Sequence, residues 1–405
     1  MSSAPGKGAA QQVRRTPKDT SQGEKRYLDE VAGRLLAPLL AKPHSSKSGW
    51  RLVGWDAEQG LSLFLEGHDR VLLLELDRLD ESKSCYARTA RFNVDARRHF
   101  DAGTPLDRMD RAIVDRLVAM VRHQERGLEL PERPTTGRRS LVRSVNVERV
   151  LIPEGRNQYY VNPYVGCTIG CPFCWAAGRA DLSRHLEGLP EMEWGRWVDV
   201  KVNAPEVLRA ELKLHPPGPV RFSPVVTDPY QPLERKHRIT RRCLEALLGS
   251  GFTPGILTRA ARVLEDAELL ARIPGAAVGL SIPTDDDRVR HRFEPGADPI
   301  EDRLEALEKL RSAGVRTFAV IQPILPMKPS SLVSRLAPLV DAVRIEGMQE
   351  FEGMAVLYDE AGMSEAIWRE ETARLQRALF EGFGAHGVPV DEFDDLGELV
   401  ADRSN

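Results

Sequence analysis

Cys167, Cys171 and Cys174 stand in the spacing C-x3-C-x2-C within Asn162-Pro-Tyr-Val-Gly-Cys-Thr-Ile-Gly-Cys-Pro-Phe-Cys-Trp175. Three thiolates this close can hold a four-iron cluster. Such clusters normally take four cysteines, so a set of three leaves one iron open to a small molecule. Two other readings fit the residue types. The positions follow the i, i+4, i+7 rule of an apolar helical stripe, and cysteine is commonly buried. Against a helix, Gly166 and Gly170 weaken it and Pro172 would lie inside it without an N–H to donate, so the stretch reads as a loop. A zinc site wants a fourth Cys or His in a compact pattern, and His185, eleven residues on, is the near candidate. A structural metal-binding protein, whose thiolates only hold the loop, therefore stays open as an alternative.

The elements around this loop alternate between strand and helix from Gln158 onward. Strands are expected over 159–165, 220–226, 255–257, 277–282, 317–321 and 342–345, with helices over 241–249, 264–272, 300–313 and 331–340 between them. That order predicts a parallel sheet with covering helices, either an open partial barrel or a doubly wound sheet. In both, ligands sit at the carboxyl ends of the strands. Several polar residues fall there: Thr227 and Asp228, Arg259, and Ser281. Glu294 and Arg303 have the charge and spacing for an ion pair that orders the loop between them.

The chain has 405 residues, 41% hydrophobic and 29% charged, enough for more than one domain. Residues 1–22 read as a disordered tail, 23–130 as a small α+β domain, 131–150 as a linker, 151–350 as the main α/β domain, and 351–405 as a helical extension with an acidic tail. In the first domain helices are expected over 24–41 and 107–124, and strands over 50–55, 60–65, 70–76 and 84–94. A net charge of −3 gives no overall pull toward nucleic acid. Five cysteines, three in one loop, are no disulfide framework, and an exposed cluster needs a reducing compartment. No apolar h-region or membrane-spanning stretch is evident. A cytoplasmic location without membrane attachment is the expectation.

The cysteine triplet, leaving a strand and preceded by Asn162-Pro-Tyr164, resembles the radical S-adenosylmethionine (radical SAM) superfamily, and within it the spore photoproduct lyase-like branch. The segments Thr227-Asp-Pro-Tyr-Gln-Pro-Leu-Glu234, Leu257-Thr-Arg259, Gly279-Leu-Ser281 and Arg292-Phe-Glu-Pro-Gly296, with Arg303-Leu-Glu-Ala306, extend the resemblance over residues 150–350. It implies a partial (β/α)6 TIM-type barrel. It implies that Cys167, Cys171 and Cys174 ligate a [4Fe-4S] cluster whose open iron takes SAM. An external electron donor then supplies one electron, SAM is cleaved to methionine and a 5′-deoxyadenosyl radical, and the radical abstracts hydrogen from an unidentified substrate. By the same resemblance Thr227 and Asp228 occupy the place of the segment that holds the SAM amino group, Arg259 can pair with its carboxylate, and Ser281 can bond its ribose or carboxylate.

The lyase of that branch uses a further cysteine as hydrogen donor, and none lies between Cys174 and Cys243 here. Cys243 falls on the apolar side of a helix and reads as packing. Tyr230, Phe173 and Trp175 are candidate pocket walls. A nucleic-acid-acting lyase or repair enzyme is the alternative activity. It would use Arg235, Lys236, His237, Arg238, Arg241 and Arg242, with the linker arginines 138, 139 and 143, as a phosphate-facing patch.

Overall fold

The structure is a computed structural model. It describes residues 51–56, 61–67, 70–76, 85–92 and 100–104 at the level of the backbone. It also describes residues 141–347, apart from 156, 187–188, 190–191 and 223–224, and residues 365–390. The first group forms five antiparallel strands in chain order, β1 (Arg51–Asp56), β2 (Leu61–Gly67), β3 (Arg70–Leu76), β4 (Cys85–Phe92) and β5 (Phe100–Thr104). The first four match the expected strands, and β5 was not foreseen. The helices expected over 24–41 and 107–124 lie outside the described residues.

Two sheets make up the rest. A small one joins β6 (Leu141–Val145), β10 (Trp197–Lys201) and β9 (Tyr164–Val165), with β10 parallel to β6 and antiparallel to β9. The larger has seven strands in the order β15 (Ala342–Ile345), β14 (Arg316–Ile321), β13 (Ala277–Ser281), β12 (Thr253–Thr258), β11 (Pro219–Phe222), β8 (Gln158–Tyr160), β7 (Ile152–Gly155). Six of these, β8 and β11 to β15, run parallel in chain order, and β7 pairs antiparallel at the edge. This is the open (β/α)6 arrangement that the alternation of elements predicts.

Side chains alternate across these strands as the period of two requires. Ile256, Val278, Leu280, Ala319, Ile321, Val343 and Ile345 face the helices and join the main core, while Leu257, Ala277, Phe318, Val320 and Ala342 form a separate cluster on the other face. The covering helices include α1 (Ala176–Leu186), α2 (Ala204–Glu211), α3 (Glu234–His237), α4 (Ile239–Leu247), α5 (Ala267–Ala271), α6 (Asp287–Phe293), α7 (Ile300–Ser312) and α8 (Pro329–Leu336). α7 shows why these segments become helices. Ile300, Leu304, Leu307 and Leu310 recur on one buried side, Glu301 and Asp302 meet its positive end, and Gly314 at φ +83 lets the chain turn away just beyond it.

Three parts of the chain differ most from the sequence reading. The expected strand 159–165 is two, because the chain turns at Asn162-Pro163 and hands β9 to the small sheet. Leu141–Val145, assigned to a linker, is strand β6, and the Arg143 guanidinium makes two 2.7 Å bonds to the Asp199 carboxylate on β10. The C-terminal helix α9 (Glu365–Ala385) buries Leu375, Leu379 and Phe383 in the main core, and Val390 bridges to Val343 of β15. It therefore serves as a further helical cover of the sheet, after β15. The acidic segment 391–398 lies outside the described residues. Among those described, no helix is long and apolar enough to cross a membrane.

Gly279 shows how tightly the inner face is filled. A Cβ added there would sit 2.0 Å from a Phe318 ring carbon. We expect Gly279→Ala to destabilise the fold by about 1–3 kcal/mol, the usual cost of overpacking, measured as a lowered midpoint in urea unfolding. An unchanged midpoint would contradict this packing.

Candidate functional site

The cysteine loop lies between β9 and α1, and backbone needs explain its shape. Gly166 takes φ +84, and a Cβ there would stand 2.5 Å from the Trp197 carbonyl oxygen, so no larger residue fits. The Gly170 and Gly195 backbones nearly touch: a Cβ on Gly195 would lie 2.9 Å from the Gly170 Cα. After Cys171 the chain enters a tight turn, with the Cys174 N–H bonding the Cys171 carbonyl at 3.1 Å, and α1 begins there. The loop reading is therefore right, and the helical stripe is excluded.

The three thiols are free and lie close together. Cys167 and Cys171 are buried and Cys174 is half-buried. They pack with Ile169, Ala297, Phe173 and Trp194. Burial pushes all three thiols above their ordinary value; the Asp228 charge adds to this at Cys167 and Cys174, and the Glu294 charge and the other two thiols add to it at Cys171. The Arg259 guanidinium pulls Cys171 and Cys174 back toward ionisation. Among the described residues no three Cys, His, Asp or Glu side chains converge as a single ion requires. A cubane spreads its irons over a wider triangle. The His185 side chain, the candidate fourth zinc ligand, is not among those described.

The rim residues take distinct places. Thr227 donates its hydroxyl to the Gly166 carbonyl at 2.7 Å. Asp228 accepts from the Tyr230 N–H at 2.8 Å, the Thr258 hydroxyl at 2.6 Å and the Arg259 N–H at 2.8 Å, so it ties the ends of β11 and β12 together. Burial raises the Asp228 carboxyl above its usual range, and these donors act the other way. Ser281 is buried at the end of β13, and its hydroxyl has no partner there. A buried hydroxyl without a partner is uncommon and calls for a ligand or ordered water.

Arg259 reaches Glu294 at 2.5 Å and the Gln322 carbonyl at 3.3 Å, and lies over the Phe173 ring with the guanidinium carbon 5.6 Å from its centroid. Burial pulls its pKa down, but the Cys171, Glu294 and Cys174 charges outweigh this and hold it above the ordinary value. The expected pair of Glu294 and Arg303 is present at 2.8 Å, both side chains fully buried. Arg303 also donates to the Ser281 carbonyl at 2.6 Å. Glu294 is thus flanked by two guanidinium groups.

Other expectations change. Tyr230 is buried with its hydroxyl on Asp266 at 2.8 Å, so it is a core residue and no pocket wall. Cys243 is fully buried on α4, as the packing reading has it. The basic run is largely paired within the chain: Arg241 with Glu245 and Asp266, Arg238 with Glu265, Arg242 with Glu206. All three side chains stay partly exposed, so these pairs offset only part of the charge of the suggested phosphate-facing patch. Sequence reasoning missed Gln231, whose amide bonds the loop backbone, and Gly296, whose N–H bonds the Ile169 carbonyl at 3.0 Å and whose missing Cβ leaves room for that backbone. The Pro-Gly pair at 295–296 was the available signal for the second.

Residues 161–329 match the model of the Radical SAM superfamily. The chain carries a radical SAM domain. An uncharacterised protein of Methanocaldococcus jannaschii is 30% identical over 169 residues, 42% of this chain and 61% of that one. A protein of Pseudomonas phage M6 named radical SAM Nalpha-GlyT isomerase is 28% identical over 165 residues, 40% of this chain and 32% of the phage protein. The chain spans between half and two thirds of the length of the first curated relatives it matches. Among solved structures, a spore photoproduct lyase variant aligns with a TM-score of 0.47 and 13% identity, over 71% of this chain and 94% of that one. The superfamily implies a [4Fe-4S] cluster and SAM. The residues fit both, with three free thiols on one glycine-shaped loop and a buried, unpartnered hydroxyl on the same rim.

Two outcomes follow. Replacing Glu294 with Gln leaves two buried guanidinium groups uncompensated and should cost about 3–5 kcal/mol, read as a lowered urea midpoint. A loss below about 1 kcal/mol would show that the pair is not buried as described. For the thiols, the folded chain holds their protons more tightly than the unfolded chain, whose values lie near 9. The stability attached to them is complete below that pH and is lost as pH rises toward the folded values. The melting temperature of iron-free, reduced protein should therefore fall from about pH 8.5 upward, and less steeply when Cys167 and Cys171 are replaced by Ala. Equal slopes would contradict the burial.

Proposed function

We propose that the chain is a radical SAM enzyme in which Cys167, Cys171 and Cys174 hold a [4Fe-4S] cluster and the ends of β11 to β13 hold SAM. When bound and reduced, these groups supply a 5′-deoxyadenosyl radical that takes hydrogen from a substrate. The observation that carries this reading is the set of three free thiols, without a fourth, on a loop at the carboxyl ends of the parallel strands.

The chain's own residues have separable roles. The cysteines must lose their protons to bind iron, and because burial keeps them protonated, cluster assembly releases protons. Arg259 sits beside Cys171 and Cys174 and offers positive charge both to the thiolates and to a SAM carboxylate. Ser281 presents the hydroxyl that a ribose or carboxylate would satisfy. Thr227 and Asp228 act one step back: Thr227 holds the Gly166 carbonyl, and Asp228 holds the Arg259 backbone and so the start of that side chain. Gly279 leaves the inner face of the barrel to the Phe318 ring, which packs there with Leu257, Ala277, Val320 and Ala342.

The motifs at 162–175, 227–234 and 292–296 support a place in the spore photoproduct lyase-like branch, and no cysteine between Cys174 and Cys243 offers the hydrogen donor of that lyase. Beyond the triplet stand Cys243, which is fully buried, and Cys85 at the start of β4.

The test is anaerobic reconstitution with iron and sulfide, reduction with SAM, and chromatography for 5′-deoxyadenosine. The intact chain should bind about four irons and form the product, and Cys171→Ala should lose both. Zinc in place of iron would overturn the reading.

A further inference from the structure

We propose that Gln231 is the positioning residue of the cysteine loop: its buried side-chain amide clamps the two peptide groups that flank Cys167 and so sets the surroundings of that sulfur. The proposal rests on reading the cysteines as cluster ligands.

Gln231 is fully buried. Its Oε1 accepts from the Thr168 N–H at 3.0 Å. Its Nε2 donates to the Gly166 carbonyl at 3.1 Å and to the Thr227 hydroxyl oxygen at 2.7 Å. The Gly166 carbonyl belongs to the peptide entering Cys167, and the Thr168 N–H to the peptide leaving it. One amide therefore grips both, much as a neighbouring strand would. Its orientation is unique, since a flipped amide would set N–H against N–H and carbonyl against carbonyl. Thr227 closes a triangle by donating its own hydroxyl to the same Gly166 carbonyl. Gln231 is itself fixed by the turn that begins α3, where the Glu234 N–H bonds its carbonyl at 2.8 Å.

The loop has little room to relax if this grip is lost. Gly166 is backed by the Trp197 ring and carbonyl, and Gly170 by the Gly195 backbone. Deleting the amide would leave the Thr168 N–H without this acceptor and the Gly166 carbonyl with Thr227 in place of two donors. Groups that hydrogen-bond around a ligand sulfur tune both the affinity of the site and the reduction potential of a cluster. A polar residue with only a packing role would change stability and leave both of those untouched.

The test uses the full chain with Gln231→Met, which keeps the side-chain length but removes all of the amide's hydrogen bonds, and Thr227→Val, which removes one corner of the triangle. Each is reconstituted anaerobically beside the unmodified protein. We expect Gln231→Met to lose iron to a chelator at least about tenfold faster and to show a shifted cluster midpoint potential, with Thr227→Val shifted less in the same direction. In iron-free protein, hydrogen exchange of the peptide carrying Thr168 should be faster in Gln231→Met, a readout independent of any cluster. Unchanged iron release and potential in both variants would overturn the proposal, as would unchanged exchange at Thr168. Failure of the underlying reading is distinguishable, because the unmodified chain would then assemble no iron–sulfur cluster at all.

Discussion

One buried carboxylate connects most of the site. Glu294 lies between Arg259, which follows β12, and Arg303, which reaches back to the Ser281 carbonyl at the end of β13; Arg259 also reaches the Gln322 carbonyl after β14. Three strand ends thus share one charge centre. Desolvating two guanidinium groups and a carboxylate is costly, so such a cluster persists where its geometry is needed for more than stability. Here it sets the height of the rim on one side and, through the Pro-Gly segment after Glu294, presses on the cysteine loop from behind.

The opposite side of the loop is held by polar bonds to backbone. Thr227, Asp228 and Gln231 come from a single five-residue stretch, and each satisfies a different neighbour: the loop, the next strand end, and the peptides around Cys167. A loop that binds a metal group cannot rely on helical or ladder bonds for its own peptides, and a side-chain network is the remaining means. The glycines do the complementary work, because they allow backbone and aromatic ring to approach within distances no Cβ would permit.

Much of this was legible in the sequence, for identifiable reasons. The six parallel strands show as short apolar runs at regular intervals, and the cysteine loop shows through its Gly and Pro content. The strand over 159–165 reads as continuous because aromatic and β-branched residues stand on both sides of Asn162-Pro163, yet that pair redirects the chain to a second sheet. Residues 141–145 were read as linker because arginines crowd that region, although Arg143 is there to pair with Asp199 across two parallel strands. The rim was harder. A buried Thr, Asp or Gln after a strand has the same signature whether it meets a ligand or the backbone of the next loop, and only the three-dimensional partners separate Ser281 from Thr227. The arginine run at 235–242 is a similar case, since its acidic partners at 206 and 265–266 are distant in sequence.

The Phe318 ring has a wider meaning. It lies across Gly279, and Ser281 stands two residues further along the same face. Two residues of strand advance by about 6.5–7 Å, so the ring forms a floor roughly one aromatic thickness or two below the hydroxyl. On β14 the next residue of that face, Val320, pairs with Ser281 itself, so the ring and the valine together fill the inner face up to the level of the hydroxyl.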